Sequence, residues 1–119
     1  MDRKVLFVDD SASMRQVVGL AIERAGYKVT TAVDGQDGVS KLGSTRFDLI
    51  ISDVNMPNMD GLTMAEKVRS DLGNHGVNII MLTTESDPRM KSRGKAAGVK
   101  GWIVKPFKGD NVVGSIKKL

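Results

Sequence analysis

Five short apolar runs alternate with segments of helical spacing along this chain of 119 residues. The runs predict strands over Lys4 to Val8, Lys28 to Ala32, Leu49 to Ser52, Val77 to Thr83 and Trp102 to Val104. Between them lie predicted helices over Ser13 to Ala25, Gln36 to Leu42, Leu62 to Leu72, Pro88 to Ala97 and Asp110 to Leu119. In the first helix Met14, Val17, Val18, Ala21, Ile22 and Ala25 recur at the i, i+3, i+4 spacing of one buried face. Gly26 ends that helix. The strands read as apolar throughout rather than alternating, which suits burial on both faces. Strict β, α alternation at this length predicts an α/β fold in which helices cover both faces of one doubly wound, five-stranded parallel sheet.

The chain has the size of one domain, carries no internal repeat, and is expected to be a single domain over residues 1 to 119. With hydrophobic residues at 40% and charged residues at 27%, it reads as an ordinary globular protein rather than a disordered one. Cysteine is absent, so disulfides and thiolate metal sites are excluded, and a reducing cytoplasm fits. No apolar stretch approaches the roughly 18 residues that span a bilayer. Met1-Asp2-Arg3-Lys4 leads straight into a strand without a signal-peptide segment, so neither secretion nor a membrane location is expected. The net charge is +4, and the basic residues concentrate at Arg89, Lys91, Arg93, Lys95, Lys100, Lys105 and Lys108. No helix-turn-helix or aromatic-interleaved motif accompanies them, so nucleic acid is not expected as a partner.

Charge appears where buried strands end. Asp9-Asp10 follow Val5-Leu6-Phe7-Val8, Asp53 follows Leu49-Ile50-Ile51-Ser52, and Lys105 follows Gly101-Trp102-Ile103-Val104. In an open parallel sheet these ends share one edge, where α/β folds place their ligands. Three carboxylates gathered there repel: at roughly 4 Å each pair costs about 1 kcal/mol in water and about 4 at an effective dielectric of 20. The cluster therefore calls for a divalent cation. Magnesium suits oxygen ligands and keeps its waters, and the Asn55 carbonyl is available as a further ligand. One acid before a helix is commonly a cap, but two in succession ask for more. A nucleotide site of the flavodoxin kind would need donors and glycines in the first loop, where this chain has acids. Beside a hard cation, Asp53 can act as a nucleophile toward a phosphoryl group. Thr83, ending the fourth strand, and Lys105, ending the fifth, supply a hydroxyl and an ammonium to the same crevice.

Taken in order, Val8-Asp9-Asp10-Ser11, Asp53-Val54-Asn55-Met56-Pro57, Asp60-Gly61, Thr83-Thr84-Glu85 and Lys105-Pro106-Phe107 resemble the receiver domain of bacterial two-component response regulators. Among these the chain is most similar to the stand-alone chemotaxis (CheY-like) type, with Asn55 two residues after the acceptor and Glu85 two after the threonine. The resemblance implies a (βα)5 flavodoxin-like sandwich and a phosphorylation switch that promotes its own phosphorylation and dephosphorylation rather than an enzyme. Asp53 would take the phosphoryl group from a phosphohistidine of a sensor histidine kinase. Asp10, Asp53 and the Asn55 carbonyl would bind magnesium, with manganese as a substitute, and Asp9 would act through water. Lys105 would pair with the phosphoryl oxygens and Thr83 would swing to bond one of them, with Thr84, Glu85 and Pro106 lining the site. A cis bond before Pro106 is implied as well. The partners implied are the kinase, a phosphatase, and a target such as the flagellar motor switch, met by a cytoplasmic monomer.

One departure from the pattern is Trp102, which stands where such regulators usually carry tyrosine or phenylalanine as the switch aromatic. Indole is larger than phenol and needs its N–H satisfied if buried, so the alternative is a ring packed permanently on the sheet. His75, in the loop Gly73-Asn74-His75-Gly76, reads as a surface histidine, the seven methionines as core and loop filler, and Ser11 and Ser13 as helix-start residues. Two other function classes remain open at this stage: a magnesium-dependent phosphohydrolase with an aspartyl nucleophile, and a binding module that keeps the acids for stability.

Overall fold

The computed structural model describes residues 3–83, 87–104 and 109–118. Its elements run β1 (Lys4–Val8), α1 (Ala12–Arg24), β2 (Lys28–Ala32), α2 (Gly35–Ser44), β3 (Leu49–Asp53), α3 (Gly61–Ser70), β4 (Asn78–Thr83), α4 (Pro88–Ala96), β5 (Val99–Val104) and α5 (Gly109–Lys117). The strands form one parallel sheet in the order β2-β1-β3-β4-β5. This is the doubly wound parallel sheet that the alternation predicts, in the flavodoxin-like architecture that the resemblance implies.

Alternate strand residues build two cores. Val5, Phe7, Leu49, Ile51, Ile80 and Leu82 pack with Val18 and Ile22 of α1 and Val112 and Ile116 of α5. On the other face Leu6, Val8, Ile50, Ile79 and Met81 pack with Leu62, Met64, Ala65 and Val68 of α3, and Met90, Val99 and Trp102 lean against that cluster. Of the methionines, Met64 and Met81 are buried and Met14, Met56, Met59 and Met90 pack at the margins, as filler residues do.

Several expectations shift. Val17 is 63% exposed, because α1 buries the narrower stripe Val18, Gly19 and Ile22 and lies over β1 and β2, at the end of the sheet. β2 is an edge strand with Lys28 and Thr30 exposed, so burial on both faces does not hold there. Helix α2 is longer than the apolar spacing suggested because Asp34 caps it, accepting from the Asp37 N–H at 2.8 Å. Strand β5 begins three residues before Trp102: Lys100 and Gly101 interrupt the apolar run, but pairing with β4, with a register irregularity between Ile79 and Ile80, carries the strand through them. Gly26, at φ 100°, follows the C-cap Ala25 and provides the left-handed turn that ends α1.

Arg69 at the end of α3 reaches four carbonyls: Ala97 through Nε at 2.8 Å, Asn74 and Val77 through Nη1 at 3.0 and 2.8 Å, and Gly98 through Nη2 at 3.3 Å. It thereby ties α3 to the start of β4 and to the far end of α4. No helix among the described residues is long and apolar enough to cross a membrane.

Candidate functional site

Strand order reverses between β1 and β3, and ligands of open α/β sheets sit outside the strand ends at such a point. Registry puts Val8 beside Ser52, Asp53 beside Leu82 and Thr83 beside Val104. The residues that leave these ends, Asp9, Asp10, Asp53 and Thr83, are therefore neighbours. Carboxylate oxygens of Asp9, Asp10 and Asp53 all lie within 4.8 Å of one another. Asp9 is 1% exposed and Asp53 6%, while Asp10 faces solvent. Thr83 is fully buried one residue beyond the β4 partner of Asp53.

The acids are not helix caps. Ser11 takes that role, its Oγ accepting the Met14 N–H at 3.3 Å, as the helix-start reading proposed. Asp9 Oδ1 accepts the Ser11 N–H at 2.9 Å, and Arg15 Nη1 donates to the Asp9 carbonyl at 2.7 Å. These bonds pin the first loop. On the β3 side Ser52 Oγ donates to the Asp53 carbonyl at 2.8 Å, and the Gly61 N–H donates to the Val54 carbonyl at 2.9 Å, closing the loop 54–60 at its neck. A Cβ on residue 61 would fall inside contact distance of the Asp53 carbonyl, so glycine is what lets the loop return so close to the acceptor strand. Asp60 caps α3 through the Thr63 N–H at 2.8 Å.

A buried pair of carboxylates with a third at the rim is a hard oxygen donor set whose like charges repel, which fits a divalent cation. Asn55 is exposed on the loop that follows Asp53. Lys105, Thr84, Glu85 and Pro106, with the bond preceding Pro106, lie outside the described residues; Val104, paired with Thr83, brings β5 to this edge. Trp102 is half-buried, opposite Met81, with its ring against α4: a Cβ on Gly94 would lie 2.9 Å from its Cζ3. The indole Nε1 is buried and meets no acceptor among the described residues. His75 is exposed in its loop, as expected. A cleft of about 730 Å³ opens near the opposite edge of the sheet, between Arg3, Arg46, Asp48 and Asn74, away from the clustered acids.

Two features escaped sequence reasoning. One is Arg15; the other is a bond between turns, in which Asn58 Nδ2 donates to Asp34 Oδ2 at 2.7 Å. The Asp37 N–H and the Asn58 amide hold the Asp34 carboxyl below its ordinary range. The stabilisation this represents is present at neutral pH and is lost as pH falls through the lowered value.

Residues 5–117 match the response regulator receiver domain family. The chain belongs to that family. The receiver is 45% identical to the chemotaxis response regulator CheY4 of Vibrio cholerae, covering 99% of this chain and 98% of that one, with a TM-score of 0.91. It is 30% identical to the response regulator TrrA of Thermotoga maritima, solved in complex with Mg(2+)-BeF, covering 98% and 97% with a TM-score of 0.84. With the transcriptional regulatory protein ResD of Bacillus subtilis it shares 33% identity over 118 residues, 99% of this chain and 48% of ResD. The receiver thus spans about half the length of that relative.

Proposed function

We propose that this receiver is a cytoplasmic, monomeric phosphorylation switch, a single domain over residues 1 to 119, of the chemotaxis type. The carrying observation is the convergence of Asp9, Asp10 and Asp53 within 4.8 Å, with Thr83 on the adjacent strand. Asp53 accepts the phosphoryl group: a carboxylate oxygen bonds to phosphorus as the bond to a sensor kinase's histidine nitrogen breaks, and the imidazole leaves. Asp10, Asp53 and the Asn55 carbonyl would hold magnesium, which when bound would supply charge neutralisation to the transferring group. The Mg(2+)-BeF complex of TrrA supports magnesium as the metal. Asp9 would act on the metal through water. Lys105 pairs with the phosphoryl oxygens, Thr83 bonds one of them once it is attached, and Thr84, Glu85 and Pro106 line the crevice. The phosphorylated form reports through α4, β5 and α5, with Trp102 as the moving aromatic, to a target protein. The flagellar motor switch is the target favoured by the likeness to CheY4.

Intact mass after incubation with acetyl phosphate and magnesium tests the reading. One phosphoryl adduct is expected on the wild type and none on Asp53→Asn. Continuous release of phosphate from a separate substrate would instead identify a phosphohydrolase. Absence of any adduct together with no magnesium-induced rise in melting temperature would leave a binding module.

A further inference from the structure

The loop 54–60 carries Asn55, and what fixes it on its outer side is the turn before α2. The Gly35 N–H donates to the Met59 carbonyl at 3.1 Å, and Asn58 Nδ2 donates to Asp34 Oδ2 at 2.7 Å. Asp34 is 7% exposed, and its other oxygen holds the first turn of α2 through the Asp37 N–H. Both oxygens are thus engaged, one by the helix and one by the loop.

Two residue choices run against local preference. Asn58 has φ 67°, the one positive φ of a non-glycine residue among those described. Glycine would sit there without strain, and asparagine tolerates it at some cost, so what asparagine adds is its amide. Gly35 has no such backbone demand, yet a Cβ there would lie 2.6 Å from the Met59 carbonyl. Glycine at 35 and asparagine at 58 both serve the contact between the two turns rather than the turns themselves.

We propose that Asp34 and Asn58 are positioning residues for the metal site: their bond clamps the loop 54–60 so that the Asn55 carbonyl is held in place relative to Asp53. The clamp rests on the metal reading above. Outer residues that orient ligands are worth about tenfold or more in metal affinity.

Calorimetric titration of the full chain with magnesium chloride separates the clamp from simple charge. Asn58→Asp adds a negative charge near the acids, which by electrostatics alone would tighten magnesium binding, but it sets two carboxylates against each other and opens the clamp. We expect binding to weaken about tenfold, and the melting temperature without metal to fall as well, because the Asp34 carboxylate loses the amide that stabilises it. The exchanged pair Asp34→Asn with Asn58→Asp restores one amide and one carboxylate at the same net charge and should recover the wild-type affinity. Asn58→Gly, which removes both the strain and the amide, should weaken binding like Asn58→Asp and decides the matter should the latter fail to fold. Magnesium affinity in both single variants equal to or tighter than the wild type overturns the clamp, as does an exchanged pair that recovers stability without affinity. A wild type that binds no magnesium overturns the metal reading itself, and the clamp with it.

Discussion

Strands β1, β3 and β4 keep nearly every side chain from water, whereas β5 offers only half-buried and exposed positions and α4 buries one residue, Gly94. The acids stand on the first region. The basic surface of Arg89, Lys91, Arg93 and Lys95, all exposed, stands on the second. Dense apolar packing holds groups to fixed positions, which a charge cluster needs, while an element with few buried contacts opens and shifts at lower free energy. The contrast teaches that this receiver builds its site on its densely packed part and presents its basic surface on the lightly anchored one.

The largest expected effect tests that contrast directly. Phe7→Ala, in the fully buried β1, should lose about 3–5 kcal/mol, whereas Ile103→Ala, on half-buried β5, should lose about 1–2 kcal/mol. Urea unfolding measures both, and equal losses would erase the distinction between the two regions.

Gly94→Ala sharpens it. Helix propensity alone would make this a gain of about 0.5–1 kcal/mol. With Trp102 Cζ3 at 2.9 Å from the new methyl, overpacking should instead cost about 1–3 kcal/mol and shift the emission of the single tryptophan. The cost should fall in a Trp102→Phe background. A net gain in the Gly94→Ala protein would mean that the ring yields freely and that α4 and β5 are not keyed together.

Charge reversal at Lys91 and Lys95 should be the mildest change. These side chains are exposed, so stability should move by less than about 0.5 kcal/mol and acetyl phosphate labelling of Asp53 should be unchanged. Association with an acidic helical peptide should slow, with the difference fading as salt rises. Indifference of the association rate to salt would move the output surface elsewhere.

Legibility in the sequence divides along similar lines. Asp9, Asp10, Asp53 and Thr83 could be found because an unbroken apolar run announces a buried strand and the first polar residue after it announces the sheet edge. Val17 was misplaced because periodicity gives the face of a helix but not how much of that face a neighbour covers. The start of β5 was hidden because Lys100 and Gly101 have no strand character of their own; pairing with β4 puts them in the sheet. Asp34 stands directly before Gly35, as turn acids commonly do, and nothing in its neighbourhood points 24 residues ahead to Asn58. The available signal was weak: an asparagine after proline, in a loop that ends in glycine, is a residue able to accept a positive φ while keeping a side chain to use. Arg15 carries no signal in the sequence because its partner is a backbone carbonyl, which no side-chain pattern reveals.

Arg69 also sets the mechanics of α4. By gripping the carbonyls of Ala97 and Gly98 it makes the distal end of that helix a fulcrum, while the first turn lies at the other end of the helix, next in sequence to the segment that leaves Thr83. At 1.5 Å per residue the nine residues of α4 form an arm of about 13 Å. A tilt of about 5° would carry the first turn about 1 Å and leave the gripped end nearly still. Displacement in such a tilt would be greatest at the end of the helix that follows β4 in sequence.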